Sequence, residues 1–222
     1  MSKKFVVRVW DAPTRLFHWA LTVCVVAAVI TAQIGGAAMD WHFRIGYTVF
    51  TLLLFRLIWG FVGGHWSRFS TFLYRPAQIL AYIKGHKDPL GVGHNPLGAL
   101  SVFALLGFLA LQVASGLFSD DEISATGPLV AFVSSTWVAN ATYYHAEIGK
   151  LILIALVTLH VLVIGLYFLK KRENLVSPMI TGDKTLDNNV VSSEDHTRSR
   201  IKATLVLAVC VISVWGFTRW LT

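Results

Sequence analysis

The sequence predicts an all-α membrane protein, because its composition is strongly apolar and it contains five long apolar runs. Hydrophobic residues make up 55% of the 222-residue chain and charged residues only 14%, and the mean hydropathy is +0.61. A helix needs about 20 apolar residues to cross the hydrocarbon core of a bilayer. Each of the five runs reaches that length, so we expect five spanning helices in one domain.

The five predicted spans are separated by more polar segments. They cover residues 16–37, 43–63, 97–118, 144–169 and 201–221. The first run follows lysines and an arginine, as a signal peptide does. It is longer than a usual secretory core and carries Arg15 and His18 at its start, so we expect it to be retained as a helix.

Basic residues concentrate on one side of the predicted membrane. Lysines and arginines occur in residues 3–15, 68–87 and 170–202, whereas the two loops facing the other side contain none and include the acidic run 120–122. The positive-inside rule then places the N-terminus in the cytoplasm and the C-terminus outside. This topology accounts for the net charge of +7, and no nucleic-acid-binding surface is needed to explain it.

Two histidines, His145 and His160, lie in the fourth predicted span. An ionisable side chain inside a bilayer is costly, so such residues point to a functional site. Fifteen residues of helix separate the two by about 22 Å along the axis, and the second points roughly 60° away from the first. This geometry suits two metal-bearing cofactors, one above the other.

Two further histidines match these depths on other helices. His42 opens the second span at the outer face, level with His145, and His18 lies near the cytoplasmic end of the first span, closer to the level of His160. We call His42 and His145 the outer pair, and His18 and His160 the inner pair. A single membrane histidine is usually a packed, hydrogen-bonded side chain. Four that pair by depth favour metal ligands.

Haem fits these pairs better than a structural metal ion does. Zinc would require about four protein ligands converging on one point. Haem supplies four nitrogens itself and needs only axial ligands, and an apolar helix bundle suits its porphyrin. The chain has no Cys-x-x-Cys-His motif, so we expect two non-covalent b-type haems. Two protein ligands leave no open coordination position, which favours electron transfer.

Two arginines are candidate partners for the haem propionates. Arg15 lies three residues before His18, on the same side of its helix. Arg56 lies fourteen residues after His42 and inside the second span, where an arginine normally pairs with an anion. The alternative for Arg56 is a side chain that extends to the inner membrane surface.

The predicted organisation is a four-helix di-haem core over residues 1–172, a cytoplasmic linker over 173–200 and a fifth, C-terminal span over 201–222. Within the linker, residues 181–200 are polar and lack a hydrophobic period, so we expect them to be flexible. His94 begins the third span and is expected to be an ordinary interfacial histidine. The alternative for His94 is a place beside a cofactor or a quinone.

Several local motifs resemble the bacterial cytochrome b-561 / nickel-hydrogenase cytochrome b family. They are the run from Asp11 to Trp19, the run from Arg56 to Gly60, the pair Arg68 and Phe69, the run from His94 to Leu100, and His145 with His160. The resemblance covers roughly residues 7–172. The interval from His145 to His160 is one residue longer than the family pattern would have it.

The resemblance implies a di-haem cytochrome b of the bacterial inner membrane, with His18, His42, His145 and His160 as axial ligands. It further implies that electrons pass between the quinone pool and a periplasmic partner, a c-type cytochrome or a hydrogenase-like protein. It implies no role for the fifth span.

Two other functions stay open at this point. A self-contained oxidoreductase could pass electrons from superoxide to quinone, but it would need a cationic outer surface to attract the anion. The outer loops lack lysine and arginine, which counts against it. A non-redox scaffold subunit, with the fifth helix as its docking surface, is the third possibility.

Overall fold

Five long apolar helices dominate the computed structural model, which describes residues 4–86, 91–123 and 125–221. All five are long and apolar enough to cross a membrane, so the predicted all-α membrane fold is confirmed. Lys3 and Lys87, which belong to the basic segments of the predicted topology, lie outside the described residues.

Four of the spans follow the prediction closely. They are α1 (Ala12–Ile34), α2 (Ala38–Val62), α4 (Pro96–Leu117) and α8 (Thr197–Leu221), and the short helix α3 (Pro76–Ile83) precedes α4. Gly35 and Gly36 adopt positive φ angles of 65° and 52°, and this left-handed backbone ends α1. The Asn95 side chain accepts a 2.8 Å hydrogen bond from the Gly98 amide, which caps the start of α4.

The fourth span is longer than predicted. It covers Ser135–Lys170 and consists of α5 (Ser135–Tyr143), a π-helical segment (Tyr144–Gly149) and α6 (Lys150–Lys170). The helix therefore begins nine residues before the predicted start at 144. Residues 135–143 include serine, threonine and asparagine, so their hydropathy is too low to mark them as part of a span. The helix begins there because the Ser134 side chain accepts a hydrogen bond from the Trp137 amide and caps it.

The chain divides into two compact units. Unit 1 comprises Met1–His18, Arg56–Phe103 and Leu159–Val206, and unit 2 comprises Trp19–Phe55, Ala104–Thr158 and Leu207–Thr222. Unit 2 has a core of Val49, Leu109 and Leu153, one residue from each of α2, α4 and α6. Residues of α1, among them Leu21 and Val25, pack against this core.

Unit 1 carries a small antiparallel sheet that the sequence did not predict. Strand β1 (Phe5–Arg8) pairs with β2 (Asp183–Leu186), and the short helix α7 (Val176–Thr181) precedes β2. The prediction that residues 181–200 are flexible is therefore wrong. Leu186 and Val190 pack on a core that includes Trp10 and Trp66, so distant residues supply the apolar surface that this segment lacks locally.

Asp195 is the centre of a cluster of arginine side chains in unit 1. Its carboxylate forms ion pairs with Arg8, Arg15 and Arg200 and accepts a hydrogen bond from the Ala12 amide. Burial by itself raises the pKa of Asp195, but the hydrogen bonds from Arg200, the Ala12 amide and Arg8 outweigh burial and hold the pKa below its ordinary value. The segment is therefore held in place by charge as well as by packing.

Asp11 joins the start of α1 to the turn that follows α2. Its fully buried carboxylate accepts hydrogen bonds from the amides of Thr14 and Gly64, the indole of Trp59 and the hydroxyl of Ser67. A buried carboxylate is tolerated only when such donors replace water. We conclude that Asp11 fixes where α1 begins relative to this turn.

Replacing Asp11 should therefore destabilise the protein. We expect Asp11→Ala to lower the free energy of unfolding by about 3 kcal/mol, because four buried donors lose their acceptor. The measurement is thermal or denaturant unfolding in detergent. Asp187→Ala is the matched control, since this aspartate is 67% exposed in its ion pair with Lys4 and should cost at most about 1 kcal/mol. Equal losses for the two variants would contradict the role of Asp11.

Candidate functional site

The four predicted ligand histidines fall two by two into the two units. His42 and His145 belong to unit 2, and His18 and His160 belong to unit 1. No group of three or more histidine, cysteine or acidic side chains that could hold a metal ion occurs among the described residues. The division puts each predicted pair within one unit, and the role of these histidines as metal ligands stays a prediction.

The outer pair has the clearer geometry. The ring centroids of His42 and His145 are 6.0 Å apart, and the ring planes make an angle of 86°. Nδ1 of His42 lies 2.9 Å from the Ala28 carbonyl oxygen, and Nδ1 of His145 lies 2.8 Å from the Gln112 carbonyl oxygen. When each Nδ1 carries the proton and donates it, each Nε2 keeps its lone pair. This is the usual state of a metal-binding histidine.

The spacing of the outer pair fits an iron atom between the two rings. Two metal–nitrogen bonds of about 2 Å each would separate the ligating nitrogens by about 4 Å. The half-widths of the two imidazoles bring the centroid separation to roughly the observed 6.0 Å. Gly116 supports the same arrangement, because a Cβ atom there would lie 2.7 Å from Cε1 of His145. Only a glycine lets this ring lie so close to α4.

The inner pair forms part of a larger cluster in unit 1. His18 and His160 are close enough to interact electrostatically, and the Ser101 hydroxyl lies 3.5 Å from Nδ1 of His160. A third histidine, His94, interacts with both. Three imidazoles of unit 1 therefore interact electrostatically, where the sequence predicted a pair.

His94 is half-buried, and its Nδ1 atom is buried, so it is more enclosed than the interfacial histidine that the sequence predicted. Its ring lies between Trp10 and Phe72, with both centroid separations at 4.6 Å. Desolvation is the largest cause that lowers the pKa of His94 to about 3, and electrostatic interactions with Arg56, His160 and His18 lower it further, so the ring is neutral at physiological pH. The residues that cover it lie 20 or more positions away, and no local pattern around His94 indicates them.

Arg56 is a buried cation without a directly bound anion. Its side chain is 4% exposed, its guanidinium carbon lies 4.5 Å from the centre of the Phe69 ring, and Nη1 has no hydrogen-bond partner in the described part of the chain. Asp11 interacts with it electrostatically, but the Asp11 oxygens already accept from four donors. Burial argues against a side chain that extends to the membrane surface, and the orphaned nitrogen fits an anionic group from outside the chain.

Arg15 differs from Arg56, because part of its charge is already paired. One terminal nitrogen lies 3.6 Å from the Asp195 carboxylate, and another donates to the Ile180 carbonyl. Its Nε is buried without a partner among the described residues. Both arginines and the inner histidines belong to unit 1. The association of Arg15 with a propionate of the inner haem stays a prediction.

Comparison with known proteins identifies similar chains. The family model described as prokaryotic cytochrome b561 matches residues 9–182. A probable Ni/Fe-hydrogenase B-type cytochrome subunit of Azotobacter vinelandii is 28% identical, over 82% of this chain and 90% of the relative. Proteins with the same description from Bradyrhizobium diazoefficiens (26% identical, 80% and 85% covered) and, as a hydrogenase 1 subunit, from Escherichia coli K12 (22% identical, 85% and 95% covered) also match. No solved structure matches the chain.

Proposed function

The chain belongs to the prokaryotic cytochrome b561 family, and on that premise we propose that it binds two b-type haems and carries electrons between membrane quinone and a periplasmic redox partner. It is a multi-pass membrane protein and a cytochrome b by family. The two-haem content, the quinone and the partner are the proposal. So are its location in the bacterial inner membrane and the orientation of its termini.

His42 and His145 would hold one haem, and His18 and His160 the other. The observation that carries the proposal is the outer pair, with ring centroids 6.0 Å apart and both Nδ1 atoms against backbone carbonyls. Haem, when bound, supplies reversible one-electron chemistry at its iron. Two histidines per iron leave no position for oxygen to bind, which supports electron transfer over catalysis at the metal.

Arg56 would bind a propionate of the inner haem. Its unpaired Nη1 and its position over the Phe69 ring support this role, because a planar guanidinium binds a carboxylate through two parallel hydrogen bonds. Gly60 makes this position possible, since a Cβ atom there would overlap the Phe69 ring. Arg15, which is shared with Asp195, would contribute a weaker interaction.

The relatives support a hydrogenase-like partner. Their names describe B-type cytochrome subunits of Ni/Fe-hydrogenases, so the partner of this chain would be a hydrogenase-like protein or a c-type cytochrome. The absence of lysine and arginine from residues 35–41 and 119–143 supports a periplasmic location for the segments that precede His42 and His145.

Haem content and quinol reduction test this function directly. The purified protein should contain about two haems per chain, because it has two histidine pairs. Acid acetone should extract both, and a short-chain quinol should reduce both. A pyridine haemochrome assay gives the stoichiometry. One haem per chain, or haem that resists extraction, would refute the proposal.

Alanine variants test the ligand assignment. His42→Ala and His145→Ala should remove one component of the reduced-minus-oxidised spectrum, and His18→Ala and His160→Ala should remove the other, because each haem depends on both of its ligands. His94→Ala is the matched control and should keep both components, since this third histidine of unit 1 is not a proposed ligand. If His18→Ala and His42→Ala removed the same component, the pairing would be wrong.

Removing the Arg56 charge should lower the midpoint potential of the inner haem. An uncompensated propionate stabilises ferric iron, so Arg56→Gln should shift the potential down by roughly 60 mV, a tenfold change in the oxidised-to-reduced ratio. A redox titration measures both haems, and the outer one should change little. Arg198→Gln removes the same charge at an exposed site and serves as the control. An inner haem that keeps its potential in Arg56→Gln would remove the propionate role.

A further inference from the structure

The π-helical segment Tyr144–Gly149 contains His145 and changes the register of the helix on which that histidine lies. A π-helical turn accommodates one residue more than an α-helical turn, and such segments are frequent at functional sites. The segment, the outer pair and the core residue Leu153 all belong to unit 2.

The extra residue aligns His145 with the buried side of α6. Leu153 belongs to the core of unit 2 and lies eight positions after His145. Eight α-helical steps of about 100° would leave His145 about 80° away from Leu153. When the π-helical turn absorbs one residue, seven steps remain, and the two side chains differ by only about 20°. The π-helical segment therefore turns His145 toward the interior.

Gln112 of α4 contacts this segment through two hydrogen bonds with one residue. Its side-chain amide donates to the His145 carbonyl at 2.8 Å, and its own carbonyl lies 2.8 Å from Nδ1 of His145. The first bond holds the backbone of the π-helical segment, and the second orients the imidazole. Gln112 and His145 thus pair with each other between two otherwise apolar helices, where a buried polar group without a partner is costly.

Gly149 makes the approach of Gln112 possible. A Cβ atom at Gly149 would clash with Oε1 of Gln112 and would lie 2.8 Å from Cε1 of Tyr144. Any larger residue at the end of the π-helical segment would therefore displace the Gln112 side chain. Gly165, in the same span, has no neighbouring atom within 4 Å of such a Cβ, so the requirement belongs to position 149.

We infer that Gln112 is the positioning residue for the outer axial ligand: by holding the π-helical segment, it sets both the register and the ring plane of His145. This inference rests on the proposed function, in which His145 binds the outer haem. Gln112 contacts His145 and would affect the haem only through this histidine. Gly149 contributes to the same positioning, because it leaves room for the Gln112 side chain.

The ring plane gives a spectroscopic readout. For low-spin ferric haem with two imidazole ligands, the largest g value rises as the ligand planes approach a right angle. The planes of His42 and His145 stand at 86°, so nearly any rotation of the His145 ring reduces the angle. Loss of the Gln112 hydrogen bond should therefore lower the largest g value of the outer haem.

The experiment compares Gln112→Leu and Gly149→Ala with the control Gly165→Ala, all in the haem-loaded protein. The first two should lower the largest g value of the outer haem in electron paramagnetic resonance and shift its midpoint potential, while the inner haem stays unchanged and reports correct folding. Gly165→Ala should change neither haem. An unchanged outer g value in both test variants would overturn the inference, because a merely structural role would leave it in place.

A double-mutant cycle tests the contact without reference to haem. Gly149→Ala should lower the unfolding temperature in the wild-type background and lower it less in Gln112→Ala, because the smaller side chain removes the clash with Oε1 while the close contact with Tyr144 remains. Additive effects would overturn the contact itself. If His145→Ala kept the outer haem signal, the proposed function would fail and the positioning role with it. A normal loss in His145→Ala with no response in Gln112→Leu would overturn the positioning role alone.

Discussion

An unpaired polar group in an apolar helix bundle costs free energy, and this constraint decides how the buried polar side chains of this protein are arranged. Water is absent from the membrane interior, so each buried polar atom needs a partner within the chain or a bound group. Asp11 meets this need through four donors, and the outer histidines meet it on one side of each ring through backbone carbonyls. Arg56 does not meet it within the described residues. The unpaired nitrogen of Arg56 is the observation behind the proposal that this side chain binds an anionic group from outside the chain.

The parts that could be predicted from the sequence depend on local patterns. Span length and hydropathy are properties of about 20 consecutive residues, so the five helices were predicted with ends close to the observed ones, apart from the start of the fourth. The grouping of His42 with His145 required only the order of the spans and the depth of each histidine. The burial of Arg56 followed from its place in the interior of the second span.

The parts that could not be predicted depend on contacts between distant residues. Residues 183–186 form a strand because Phe5–Arg8 pair with them, and their own sequence, Asp-Lys-Thr-Leu, has no strong strand pattern. His94 is half-buried because Trp10 and Phe72 pack against its ring. The π-helical segment depends on Gln112, which lies 33 positions before His145. In each case the structure depends on a partner that is far away in the chain. The local sequence around the residue carries no information about that partner.

The pairing of β1 with β2 also constrains how the protein is made. Arg8 and its partner Asp183 are 175 positions apart, so the first strand leaves the ribosome long before the second. At about 5–20 residues per second of synthesis, β1 waits roughly 10 to 35 s for its partner. During that interval four spans are synthesised while Arg8 and Arg15 still lack Asp195. The sheet is thus among the last parts to assemble, and it can form only after the first four spans have been synthesised.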